Sequence, residues 1–310
     1  MINQLKKKYH NLSDNSKNVF LNVLGAFSIK GVALLLSLFT MPAYLRYFDE
    51  QAVLGIWFTI LSVLSWILNF DLGIGNGLRN QLARTITTGE ESETRKYISA
   101  AYISVGTLGI CIVVLFSFVF RLVNWNAFFR IETSVVSDAA LNTVVYIVFI
   151  GIIAQLFLKL ISSVLYALQK SAVNNLISLV TSIAVFVYAT FAPIRDNDSN
   201  MISMAFVYTL AVLLPLLVVT LYIFTSKLKN VRPSLKYFDC FYVKQVLSLG
   251  GIFFFVQIAY MVIMSTNEYL ITILVGNESV VEYQIYAKLF TLGSTVFALA
   301  LTPIWSMVTK

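Results

Sequence analysis

Three lysines stand inside long apolar runs of the chain: Lys30, Lys159 and Lys288. A lysine at the centre of a membrane helix costs ~2.5–3.5 kcal/mol to insert, so such a residue faces a polar cavity, a partner or the path of a charged cargo. Lys30 lies about twelve residues, ~18 Å, from the start of its run, too deep for its stem to reach the headgroups easily. Lys159 lies ~15 Å from the end of its run, and either faces a cavity or reaches outward along its stem. Lys288 sits ~9 Å into the last run, close in depth to Glu268 in the run before it, with Asn267 alongside as a polar neighbour. Equal depth on neighbouring helices leaves two readings: a structural ion pair between Glu268 and Lys288, or two groups that act separately.

Asp71 precedes a glycine-rich string, Asp71-Leu72-Gly73-Ile74-Gly75-Asn76-Gly77-Leu78-Arg79. Its spacing is not the GxGxxG of a dinucleotide site, and the run before it is as long as a membrane span. Alternate glycines suit an unwound helix end that lets neighbouring helices approach closely. Asp71 and Arg79 are then either a polar latch at the mouth of a cavity or ordinary interfacial charges. The single histidine, His10, lies in the polar N-terminal segment, and Cys111 and Cys240 are more than a hundred residues apart. No nucleophile–base pair, metal-ligand set or cofactor fingerprint stands out, so no catalytic residue, metal or cofactor is expected and the protein is read as a non-enzyme.

The elements that carry these residues follow from composition. Of the 310 residues, 58% are apolar and 12% charged, about half the ~25% charge of a soluble domain. Apolar runs long enough to cross a bilayer occur at about 18–39, 53–72, 97–120, 142–168, 172–194, 202–226, 247–275 and 282–307, which predicts an all-α polytopic membrane protein of about eight transmembrane helices. With the N-terminus cytoplasmic, fifteen Lys and Arg fall on the inner side: Lys6, Lys7, Lys8, Lys17, Arg79, Arg84, Arg95, Lys96, Lys170, Lys227, Lys229, Arg232, Lys236, Lys244 and Lys310. Four, Arg46, Arg121, Arg130 and Arg195, fall outside, a strong positive-inside bias. The basic composition is therefore topological, and no nucleic-acid partner is expected. Residues 1–17 read as a cytoplasmic tail leading into a retained first span. The outer segment 121–130 reads as an interfacial anchor. An offset of 228 residues aligns Asp49-Glu50 with Asn277-Glu278, a weak parallel repeat of the kind that relates transporter halves.

Phe70 to Asn80, preceded by Leu54-Gly55-Ile56-Trp57-Phe58 and by Lys30, resembles the polysaccharide transporter family, the Wzx-type O-antigen flippases of the multidrug/oligosaccharidyl-lipid/polysaccharide exporter superfamily. Thr302-Pro303-Ile304-Trp305-Ser306 is similar to the corresponding part of those proteins. The resemblance implies a two-lobed flippase, with residues 18–230 forming a first six-helix lobe and 231–310 the first two helices of a second lobe whose remainder is missing. It implies a bacterial cytoplasmic membrane location and an undecaprenyl-diphosphate-linked oligosaccharide as cargo, moved across the membrane for O-antigen or capsular polysaccharide synthesis. Membrane lipid, a coupling cation and the polysaccharide polymerase machinery are the other partners implied. Lys30 and Lys159 are the expected anion-binding cations; Asp71, Arg79, Asn267, Glu268 and Lys288 are expected gating or structural polar residues. Two other functions stay open: a cation-coupled drug or metabolite antiporter of the same superfamily, and a membrane-embedded polymerase or acyltransferase of envelope synthesis. A nonfunctional remnant is the third, passive alternative.

Overall fold

The computed structural model describes residues 14–69, 73–264 and 266–308, which form helices and turns with no strand among them. Six helical stretches among the described residues are long and apolar enough to cross a membrane, from Gly31–Phe48 to Asn197–Lys227. Helix α1 (Asp14–Phe48) and α2 (Gln51–Ser65) form a hairpin whose turn places Asp49 at φ +56°. A 3₁₀ turn, Trp66–Asn69, ends the second span, and α3 (Ile74–Thr88) follows. The rest of the first six spans comprises α4 (Glu91–Phe120), the short α5 (Trp125–Phe128), α6 (Asp138–Leu158), α7 (Leu160–Ala167), α8 (Ser171–Phe191) and α9 (Asn197–Tyr222). Helices α10 (Cys240–Met264), α11 (Asn267–Leu274) and α12 (Asn277–Val308) occupy the positions of the seventh and eighth expected spans.

The glycine-rich string departs from its expected form. Among its described residues only Gly73, at φ +74°, is left-handed; from Ile74 onward the string is helical. The segment expected as a loop thus contains α3, whose buried Ile74, Leu78, Leu82 and Thr85 recur about one turn apart while Arg79, Asn80 and Arg84 face outward. Such a stripe is what a helix packed on one side requires. Gly89, at φ +75°, closes it: its N–H bonds Ile86 O, and the Glu90 N–H bonds Thr85 O at 3.0 Å, which satisfies carbonyls the helix end would strand.

Two expected spans are interrupted. The fourth breaks at Lys159 between α6 and α7, where Lys159 N–H still bonds Gln155 O and Ser162 N–H bonds Lys159 O three residues back. The seventh breaks between α10 and α11, where the Thr266 hydroxyl donates back to the carbonyls of Val262 and Met261, a local bond that competes with the helix ladder. In α9, Pro215 has no N–H for Ala211 O, and the Thr181 hydroxyl of α8 donates to that carbonyl at 2.9 Å. An orphaned carbonyl in a membrane is thereby satisfied across helices.

Charge separates the two ends of the bundle. At one end the loops bearing Arg46, Arg130 and Arg195 meet: Arg46 donates to Thr190 O, Arg130 Nη1 to Ile273 O at 2.5 Å, and Asn200 bridges Tyr47 and Arg195 carbonyls. At the other, basic end Ser234 N–H bonds Ser99 Oγ, Arg232 Nε bonds Phe224 O, and Arg95 lies 4.0 Å over Tyr237. The segment 121–130 is not a surface-lying anchor. Trp125 is buried against Phe116 and Phe120, Phe129 is buried against Trp125, and Phe128 stacks on Tyr269 at 5.0 Å. Inward-facing aromatic surface is worth more in this packing than at the interface.

Candidate functional site

Helix α3 packs against α7, and between them lies a cavity of about 190 Å³. Gly75 and Asn76 come from the first turn of α3, Arg79 from its next turn, Lys159 from the α6–α7 break, and Ser162, Ser163 and Tyr166 from α7. The break places Lys159 at the rim with its side chain exposed. Arg79 lies 4.8 Å over the Tyr166 ring, and Asn174 Nδ2 donates to Tyr166 Oη at 2.9 Å. A guanidinium on an aromatic face keeps its charge and its outer N–H groups for a ligand. No carboxylate is among the described residues that line the cavity. Two cations, two serine hydroxyls and an amide make it suited to an oxyanion such as phosphate.

Lys159 and Arg79 are therefore brought together, eighty residues apart in sequence. Lys30 lies on α1 and its side chain falls outside the described residues, as does Asp71. Arg79 has an aromatic partner in Tyr166, and the latch expected with Asp71 lies outside the described residues. Tyr166, Asn76, Ser162 and Ser163 were invisible to sequence reasoning because none is unusual in type or depth.

A second polar constellation lies where α11 and α12 meet α2. Glu268 is 7% exposed; its Oε2 accepts from Ser62 Oγ at 2.8 Å and its Oε1 from Gln284 Nε2 at 2.6 Å. Thr59 and Thr272 share a hydroxyl–hydroxyl bond of 2.8 Å, and Asn267 Nδ2 donates to Tyr283 Oη at 2.7 Å. The ion pair expected between Glu268 and Lys288 is not formed. Lys288 Nζ sits 3.8 Å from Met41 Sδ and 5.9 and 5.7 Å from the Tyr44 and Phe58 ring centres. The physical reason is one helical turn: Gln284, four residues before Lys288, occupies the place opposite Glu268, and Lys288 faces α1 and α2 instead. Among the described residues the ion pair within 4 Å is Arg84–Glu93 at 3.1 Å.

Close backbone approach occurs beside this constellation, at Gly55, and at the basic end of the bundle, at Gly77. A Cβ on Gly55 would lie 1.8 Å from Asn277 O, and one on Gly77 would lie 2.0 Å from Val246 O. Only glycine permits either contact.

No family model and no curated protein sequence matches the chain. Among solved structures it is similar to an inward-facing multidrug resistance MATE family transporter of the MOP superfamily. The two share 14% sequence identity and a TM-score of 0.65, over 87% of this chain and 61% of that one. The chain thus spans about three-fifths of that transporter's length. It is an all-α, multi-pass membrane protein whose fold resembles that of this transporter.

Proposed function

We propose that the protein is a membrane transporter, not an enzyme, whose cargo carries a phosphate or diphosphate headgroup. Within that class we propose an undecaprenyl-diphosphate-linked oligosaccharide, flipped across the cytoplasmic membrane for O-antigen or capsular polysaccharide synthesis. The observation that carries this reading is the cavity that joins Lys159 and Arg79, with no acid among its described lining residues. A diphosphate leaving water needs cations and hydroxyl donors that replace its hydration. Lys30 supplies a third cation in this reading. Residues 18–230 act as one lobe and 231–310 as the start of the other; the N-terminus is cytoplasmic, and polymerase machinery takes the product.

The test is surface polysaccharide in cells that depend on this protein for it. Lys159→Gln with Arg79→Gln should lower it tenfold or more at unchanged membrane level, and Lys159→Arg should retain part of it. Normal polysaccharide from the double variant would overturn the reading.

A cation-coupled drug or metabolite antiporter is favoured by one observation, the buried carboxylate of Glu268 between α2, α11 and α12. Dye efflux that survives the double variant but fails in Glu268→Ala would select it.

A further inference from the structure

Helix α9 leaves the bundle through a π turn, Ile223–Lys227, closed by Leu228 N–H on Ile223 O at 2.8 Å, and a 3₁₀ turn, Lys229–Val231, follows. Opposite these turns Gly89 ends α3 and α4 begins. Between them is a cleft of about 310 Å³, distinct from the cavity that holds Lys159. Lys227 and Lys229 line one wall with Ser226 and Asn230, Glu91 lines the other, and Ile86 and Leu228 make the apolar part. None of these three charges forms an ion pair among the described residues; the neighbouring Glu93 is held by Arg84.

The cleft continues an apolar surface. Leu214, Leu217, Val218 and Leu221 are exposed along α9, and Tyr222 follows them to the π turn. On a membrane helix such a row is covered by acyl chain. The row thus ends at a cleft that offers two ammonium groups and one carboxylate at the basic end of the bundle.

We propose that this cleft holds the headgroup of a resident zwitterionic phospholipid of the phosphoethanolamine class. Lys227 and Lys229 hold the phosphodiester, and Glu91 accepts hydrogen bonds from the primary ammonium. The charge pattern selects the headgroup. A glycerol headgroup has no cation for Glu91, and a trimethylammonium has the charge but no N–H to donate. The lipid sits against Lys229–Val231, the start of the segment that joins α9 to α10 and that is tied to α4 through Ser234 N–H and Ser99 Oγ.

Native mass spectrometry of the detergent-purified full chain, offered equal amounts of dioleoyl phosphatidylethanolamine, phosphatidylglycerol and phosphatidylcholine, tests this. One phosphatidylethanolamine should be retained several-fold over either competitor. Lys227→Ala with Lys229→Ala should abolish that retention. Glu91→Gln should bring the ratio of phosphatidylethanolamine to phosphatidylcholine close to one, and this ratio alone decides the matter if the double variant fails to fold. Preference for phosphatidylglycerol, retention unaffected by the Glu91 variant, or equal binding of soluble phosphoethanolamine would each overturn the proposal.

Discussion

The contacts between the first six spans and α10–α12 are built differently at their two ends. At the lysine-poor end α2 rides on the Asn277 carbonyl at Gly55, and around that contact lie bonds to buried groups: Thr59 with Thr272, and Ser62 and Gln284 with the Glu268 carboxylate. Arg130 and Asn277 add a reciprocal clasp, each donating to the other's neighbourhood: Arg130 Nη1 to Ile273 O and Asn277 Nδ2 to Arg130 O. At the basic end Gly77 meets the Val246 carbonyl in the same manner. What surrounds it is Tyr97 bonded to Gln245, Tyr97 edge-on to Tyr242 at 4.8 Å, and Lys96 over Tyr242 at 5.3 Å. The two tyrosine rings here are buried, but their polar partners Gln245 and Lys96 are partly exposed and water can replace them, whereas the Glu268 carboxylate is itself buried and a bond that opens there leaves a buried charge poorly satisfied. The difference teaches that one end is held by contacts that fail together and the other by contacts that yield one at a time.

That comparison breaks first at Gly55. Gly55→Ala places a methyl inside bonding distance of Asn277 O, so the helices must separate, at a cost of about 3 kcal/mol. Thermal unfolding in detergent should show a much lower midpoint; an unchanged one would mean that α2 and α12 are not in contact in solution. Glu268→Ala comes next. It removes the carboxylate that accepts from Ser62 and Gln284, and chemical denaturation should read a loss of about 2 kcal/mol. The smallest effect is expected at the basic end, where Tyr97→Phe removes a bond that water can replace, about 0.5 kcal/mol. If Tyr97→Phe proves costlier than Glu268→Ala, the distinction between the ends is reversed.

The six spans found among the described residues were legible because apolar length is a local property of sequence. The meeting of Lys159 with Arg79 was not, because it depends on how α3 packs on α7. Helix α3 itself left a signal that hydropathy alone conceals: Ile74, Leu78 and Leu82 at four-residue spacing, ended by Gly89. Depth estimates failed for Glu268 and Lys288 because depth fixes height along the membrane but not direction around a helix, and a single turn exchanged Lys288 for Gln284. Segment 121–130 was misjudged for a related reason. Its aromatic content fits an interface and a buried cap equally, and only the neighbouring Phe116, Phe120 and Tyr269 decide between them.

Lys288 meets Tyr44 and Phe58 across α12, and both rings belong to helices made long before it. During synthesis, which delivers the N-terminal part first, the eighth expected span emerges with an ammonium ~9 Å below its start, costly to bury without a partner. The aromatic berth is already in place when the lysine arrives. Entry of α12 into lipid is therefore conditional on α1 and α2 having been laid down. A chain whose first hairpin is misplaced should leave its last span stranded at the insertion machinery, and biogenesis carries its own check on order.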